Sequence, residues 1–219
     1  MPDWNDVYSQ KNIEAATPAD VLVDNAHLLS AANMTGATGK ALDYASGLTG
    51  NGLYLAKKGY HVSAWDLSDI AVEKINQFSE INNLTLSAQV RDLENEVADK
   101  NAEDKRSENS SNEFDVIVVS YFLHRDTLRN LYDLLNKGGL LFYQTFSGEQ
   151  YCGQGPAREE YRLKKNELLS VFSDMQILFY REDDLDSSGV NSSPIAGQNV
   201  SPNARPNARP GMTYFVAKK

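Results

Sequence analysis

Lys40-Ala41-Leu42-Asp43-Tyr44-Ala45, running without a break into Ser46-Gly47-Leu48-Thr49-Gly50-Asn51-Gly52, is the stretch that decides the fold. Its first six residues suit a short strand, and the glycines that follow force a tight loop. Glycine is needed there because the backbone must turn sharply and let a ligand approach with no Cβ in the way. A helix is expected next, with Leu53, Leu55 and Ala56 as apolar positions and Lys57-Lys58-Gly59 ending it. His61-Val62-Ser63-Ala64-Trp65 then reads as a second strand closing on Asp66. A strand, a glycine turn, a helix and a second strand ending in an acid about twenty residues on is the arrangement that holds an adenosine-bearing cofactor. The acid accepts hydrogen bonds from the ribose hydroxyls.

On the amino-terminal side, residues 1–30 read as a polar entry and a helix after Pro18, together a helical lid. On the other side, Ser68 or Asp69 caps a helix with Ile70, Ala71, Ile75 and Phe78 on one face. Leu84 to Val90 is a weaker third strand. Phe114 to Ser120 is nearly continuous in apolar residues, as a central parallel strand buried on both faces requires. Leu128, Leu131, Leu134 and Leu135 mark a helix that Asn136-Lys137-Gly138-Gly139 is expected to stop, before a fifth strand over Leu140 to Phe146. A helix around 164–172, a strand at 175–180 and a last strand at 213–217 complete the alternation. Such alternation predicts an α/β fold with a mostly parallel sheet and ligands at the carboxyl ends of its strands. Two stretches stand apart: 95–113, an acidic surface insertion, and 187–211, a low-complexity loop containing Pro-Asn-Ala-Arg twice in succession.

The 219 residues suit a single domain, and a hydrophobic share of 41% is enough for a sizeable core. A net charge of -9 acts against sequence-independent nucleic-acid binding, which draws its affinity from Lys and Arg, so no nucleic-acid partner is expected. No apolar run reaches the ~20 residues a membrane-spanning helix needs. Met1-Pro2-Asp3-Trp4 lacks the features of a signal peptide, so no membrane partner and a cytoplasmic location are expected. Cys152 is the only cysteine, and His27, His61 and His124 are too scattered for a ligand spacing, so no metal is expected.

Charge distinguishes between cofactors. Dinucleotide sites of the GxGxxG type place glycines where this chain has Ala45 and Thr49, and aim a helix amino terminus at a pyrophosphate. Asp43 would repel that diphosphate but suits a ligand carrying an ammonium and a sulfonium, which favours S-adenosylmethionine.

Asp43 through Asn51 resembles the first motif of class I S-adenosylmethionine-dependent methyltransferases, and Ala64-Trp65-Asp66 resembles their second-strand acid. Arg91-Asp92-Leu93-Glu94 is similar to their segment reaching the adenine, Phe114-Asp115-Val116-Ile117 to their fourth strand, and Gly138-Gly139-Leu140-Leu141 to their turn into strand five. With Asn166-Glu167-Leu168-Leu169 and Tyr180-Arg181-Glu182-Asp183, the chain resembles the small tellurite-resistance and thiopurine-type methyltransferases over roughly residues 4–186 and the final strand. The resemblance implies a Rossmann-like, seven-stranded, mostly parallel sheet with helices on both faces and an antiparallel carboxy-terminal strand. It implies methyl transfer by in-line displacement to a small-molecule acceptor such as a thiol or a chalcogen anion.

Carried onto this sequence, the resemblance puts Asp43 and Gly47 beside the methionine part, Asp66 on the ribose and Asp92 on the adenine amino group. Leu67 and Leu93 pack on the adenine, and Ala45, Gly50, Asn51 and Ser120 complete the expected cofactor set. Asp66 read alone is also a helix-capping acid, and Asp92 also a partner of Arg91. Ala45 and Thr49 depart from the usual Gly-x-Gly-x-Gly, which either lowers cofactor affinity or shifts the loop's demands onto Gly50 and Gly52.

Residues just past strands four and five face the acceptor in this topology: Ser120, Tyr121, His124 and Arg125, then Gln144, Thr145 and Phe146. His124 suits a general base, since an imidazole of pKa ~6.5 takes protons near neutrality; it also reads as a capping histidine. Arg125 and Arg162 offer planar donors to an anionic acceptor or serve as surface cations. Among the aromatics Trp4, Tyr8, Tyr121, Tyr143 and Tyr161, Tyr121 and Tyr8 are the candidates for a cation–π contact with the sulfonium. Tyr121, His124 and Arg125 thus form the catalytic expectation. Two alternatives stay open: a methyltransferase-fold binding protein without catalysis, and an NAD-dependent oxidoreductase.

Overall fold

The computed structural model describes residues 3–31, 38–95, 113–150, 153–183 and 211–219. Seven strands form its centre: β1 (Lys40–Tyr44), β2 (His61–Asp66), β3 (Leu86–Val90), β4 (Phe114–Ser120), β5 (Leu135–Phe146), β6 (Gln176–Asp183) and β7 (Met212–Lys218). They lie side by side in the order β3-β2-β1-β4-β5-β7-β6. The pairings from β3 across to β5 are parallel, and β7 runs antiparallel to both β5 and β6. The sheet is Rossmann-like. Chain order reverses between β1 and β4, so the crevice that such sheets use for ligands opens at the carboxyl ends of these two strands.

Alternating side chains feed two cores. Ala41, Val62, Val116, Val118, Leu140, Phe142 and Val216 face α2 (Asp20–Asp24), α3 (Gly50–Lys57) and α4 (Asp69–Ile81). Leu42, Ile117, Val119, Leu141, Tyr143 and Phe215 face α5 (Leu128–Leu134) and α6 (Glu167–Val171). β4 is buried from Phe114 to Val119, which explains a sequence that is apolar at every position but Asp115. Each such side chain contributes about 1.5–3 kcal/mol on burial, so the central strands form a rigid base for whatever lies at their ends.

Three local expectations are corrected. The amino-terminal region is not one helix after Pro18 but α1 (Trp4–Ser9), a 3-10 turn at Ile13–Ala15, α2, and another 3-10 turn at Ala26–Ala31. Asn12 caps the first turn by accepting from Glu14 N at 3.0 Å, and Asn25 ends α2 by donating to Val21 O at 2.9 Å. The third strand begins at Leu86, because Leu84 N donates back to Ser79 O at 3.0 Å and still belongs to the close of α4. Gly138-Gly139 does not stop α5; that helix ends at Leu134, and residues 135–139 already form the irregular start of β5. Buried Asp115 draws the chain there, accepting from Asn136 Nδ2 at 2.9 Å, while Gly138 N donates to Lys219 O at 2.8 Å.

Cys152 and nearly all of the two insertions fall outside the described residues. Among the described residues no helix is long and apolar enough to cross a membrane.

Candidate active site

The turn after β1 alternates hands. Ala45, Gly47 and Thr49 all sit in the left-handed region, with φ of 54, 53 and 55 degrees. For a residue with a Cβ this conformation costs roughly 1–2 kcal/mol, so Ala45 and Thr49 hold the backbone that glycine would adopt freely. Asp43 shows why Thr49 is tolerated. Its carboxylate, with no exposed surface, accepts from Thr49 Oγ1 at 2.9 Å, Asn51 Nδ2 at 3.0 Å and Gly52 N at 3.1 Å. Burial pushes Asp43 from 3.8 up to about 7; the three hydrogen bonds oppose the rise and the nearby charge of Asp66 adds to it. Asp43 therefore ties the turn together from beneath.

Asp66 joins the second strand to the same turn. One oxygen accepts from Gly47 N at 2.7 Å and the other from Ser68 N at 2.9 Å. Burial raises its pKa, while these backbone N–H groups stabilise the charged form. A carboxylate oxygen has two lone pairs, so Asp66 retains acceptor capacity toward a ligand hydroxyl. Leu67 beside it is 52% exposed, an uncovered apolar side chain. Leu93 is buried within the core beneath β1 and β4.

The amino-terminal segment roofs the turn. A Cβ on Gly47 would lie 2.8 Å from the Tyr8 hydroxyl, and one on Gly50 would lie 2.2 Å from Thr17 O. Tyr8 stacks on Trp4 at 5.8 Å and has the Lys11 ammonium 5.5 Å from its ring centre, so its hydroxyl edge rather than a bare ring face meets the glycine turn. That geometry aims the polar edge of Tyr8 at the turn. Two buried amides join the roof to the sheet. Asn51 accepts from Ala19 N at 2.8 Å and donates to Asp43 and, at 3.0 Å, to Ser120 Oγ. Gln144 accepts from Val21 N at 2.9 Å and donates to the Tyr121 hydroxyl at 3.1 Å. Tyr121 is 51% exposed, with φ of 58 degrees and its ring 5.6 Å from Phe146. Ser120, Tyr121, Gln144 and Phe146 therefore gather at the ends of β4 and β5, next to the turn.

A family profile described as "Tellurite resistance protein TehB" matches residues 5–189. The chain belongs to the TehB family. A curated relative from Haemophilus influenzae, described as "Probable S-adenosyl-L-methionine-dependent methyltransferase TehB", is 27% identical over 186 residues, covering 81% of this chain. The chain spans 57% of the length of that relative. Among solved structures, TehB from Haemophilus influenzae superposes with a TM-score of 0.62 at 22% identity, over 99% of this chain and 67% of that one. A SAM-dependent methyltransferase from Aquifex aeolicus reaches 0.60 at 13% identity, over 100% and 99%. Likeness at these identities shows the fold.

Within this TehB-family chain Arg125 and Arg162, read either as holders of an anion or as surface cations, both bond to groups of the protein. Arg125 forms a paired contact with Glu167 at 2.7 and 2.9 Å and donates to Glu160 O and Arg162 O. Arg162, only 3% exposed, is wrapped by the carbonyls of Ser147, Gly148, Glu149, Gln154 and Pro156. Both staple the loop after β5. Asp92 accepts from Asn95 N at 3.2 Å and Asn95 Nδ2 at 2.8 Å, which pulls its pKa down, and Arg91 stacks over Trp65 at 3.7 Å. His124 stands at the position before a 3-10 turn at Arg125–Thr127, its side chain makes no capping bond there, and its buried Nδ1 has no partner among the described residues. Tyr143 is enclosed and donates to Phe122 O at 2.7 Å, which removes it from the pocket wall.

Sequence reasoning missed Thr17 and Lys74. Thr17 carries no signal, since its backbone and not its side chain does the packing. Lys74, on α4, donates to three carbonyls at the end of α1, and in the sequence it is one more lysine on a polar helix face.

Proposed function

We propose that this chain is an S-adenosylmethionine-dependent methyltransferase acting on a small-molecule acceptor. The observation that carries the reading is the left-handed turn of Ala45, Gly47 and Thr49, tied to Asp66 and opening at the point where strand order reverses. The residues fit the cofactor: the turn keeps a glycine-like backbone despite its two substitutions, an acid ends β2, and an exposed leucine lies beside that acid. Gly47 and Asp66 would hold the methionine and ribose parts, Leu67 and the Asp92 turn would flank the adenine, and Asp43 with Asn51 would keep the cradle in shape. When bound, S-adenosylmethionine supplies a methyl group on a positively charged sulfur. The protein then needs to align an acceptor with it and keep water out.

Ser120, Tyr121, Gln144 and Phe146 form the acceptor side, with Tyr121 fixed by the buried Gln144 amide. An acceptor that arrives as a thiolate or chalcogen anion needs orientation alone, and the description of the matching family favours a chalcogen oxyanion first in any screen. A hydroxyl or amine acceptor calls on His124 to take the proton. A cytoplasmic setting accompanies this reading and rests on the sequence. Calorimetric titration with S-adenosylmethionine and S-adenosylhomocysteine tests it: wild type binds both, and Asp66→Ala abolishes binding. A wild type that binds neither ligand overturns the reading.

A further inference from the structure

Helix α1 buries none of its six residues. So short a helix does not sustain itself in water, and its place depends on the packing of Tyr8 at the edge of the core and on bonds to the rest of the molecule. Lys74 supplies most of them. Its Nζ donates to Tyr8 O at 2.7 Å, Ser9 O at 2.9 Å and Lys11 O at 2.9 Å. Tyr8 O and Ser9 O belong to the last turn of α1 and Lys11 O lies just beyond it; a cation is favoured at such a helix end, and Tyr8 O accepts from Lys74 in addition to the N–H groups of Gln10 and Lys11. Ser68 adds a second tie, donating from Oγ to Asn5 Oδ1 at 2.6 Å while its own N–H donates to Asp66. One helix, α4, thus carries at its start the cap that touches the ribose-side acid and, two turns on, the ammonium that fixes the roof.

What those bonds place is Tyr8. Its hydroxyl lies over the Gly47 turn, close enough that any Cβ at position 47 would meet it. We infer that Lys74 is a positioning residue for the cofactor: by gathering the carbonyls at the end of α1 it holds the Tyr8 hydroxyl over the glycine turn, and cofactor affinity depends on that placement. The inference rests on the cofactor reading above. Burial and the carboxylates of Asp66 and Asp43 hold the Tyr8 phenol well above its ordinary pKa, so it remains a neutral donor. A neutral donor is the form that suits the carboxylate end of an amino-acid ligand beside two acids. Lysine suits the clamp because its ammonium offers three donors, one for each carbonyl.

The test combines S-adenosylhomocysteine titration of wild type, Lys74→Met, Tyr8→Phe and the double variant with hydrogen exchange of residues 4–11 in the unliganded proteins. Lys74→Met is expected to weaken binding about tenfold, the equivalent of about 1.4 kcal/mol, and to speed exchange across α1 while the sheet stays protected. Tyr8→Phe alone weakens binding, and in the Lys74→Met background it adds little, because the hydroxyl has already lost its place. Two outcomes overturn the inference alone: Lys74→Met binding like wild type, or the two substitutions multiplying independently. A wild type that binds neither cofactor nor product overturns the cofactor reading and the inference with it. Sheet protection equal to wild type separates a lost clamp from general unfolding.

Discussion

The floor and the roof of the site are built in opposite ways. The floor, from Asp43 to Gly52, sits on fully buried strands, and its central carboxylate is held by three donors within ten residues of chain. The outer part of the roof, α1, has no fully buried residue; Lys74 holds it through backbone carbonyls, Ser68 holds it through Asn5, and Tyr8 packs at the edge of the core. Local stability follows the number of buried contacts, so the floor is expected to open only with the sheet, and α1 before it.

The sharpest way to break the comparison is through Asp43. Its folded pKa of about 7 lies above the ordinary 3.8, so unfolding favours its ionisation and the group makes the protein less stable as pH rises through this window. At about 1.4 kcal/mol per unit, the upper bound is roughly 4 kcal/mol between pH 4 and 7. Asp66 contributes with the same sign, whereas the lowered carboxylates of Glu167 and Asp174 act at more acid pH, where their protonation destabilises the fold. Urea midpoints from pH 4 to 8 are expected to fall for wild type and to fall much less for Asp43→Asn; parallel curves would contradict a floor organised around a strained buried acid.

Gly50→Ala probes the seam between floor and roof. The added Cβ meets the Thr17 backbone, and overpacking of this kind costs about 1–3 kcal/mol. Because Val21 and Leu22 anchor α2 in the core, the loss is expected in global thermal stability rather than in fraying of α1. Exchange confined to residues 4–11 would show the seam to be weaker than the packing suggests.

The smallest effect compares two residues within the floor. Ala45→Gly relieves a left-handed alanine and is expected to gain up to about 1 kcal/mol, whereas Thr49→Gly relieves a similar φ but loses the hydroxyl bond to Asp43 and gives a net loss. Chemical denaturation of the two variants checks the sign of each. A gain from both would mean that the Thr49 hydroxyl contributes nothing.

Much of the floor was legible in the sequence because its signals are local. An apolar run long enough for one buried strand, a glycine turn and an acid ending the next strand are each set within a few residues, and the parallel sheet follows from their alternation. The roof was not legible, because Tyr8 and Lys74 meet only when α1 lies across α4, and Thr17 meets Gly50 only when the amino-terminal segment lies over the turn. Arg125 and Arg162 stayed open between two readings for a related reason. A guanidinium looks the same in a sequence whether it awaits an anion or is wrapped in carbonyls, and the carbonyls wrapping Arg162 come from a loop whose path is set by tertiary packing. Gly138-Gly139 misled because the helix-stopping use of glycine is a local preference, overridden here by Asp115 reaching Asn136 from the neighbouring strand.

By itself the sequence determined the strand and helix alternation, the place of the glycine turn and the acids that flank it, since periodicity and backbone permissiveness act over short stretches. Only the tertiary structure decided that β7 inserts between β5 and β6, that Thr49 offsets its own strain through Asp43, and that a lysine on α4 sets the position of a tyrosine on α1. These depend on distances between residues far apart in the chain, which packing of the whole sheet fixes and no local pattern records.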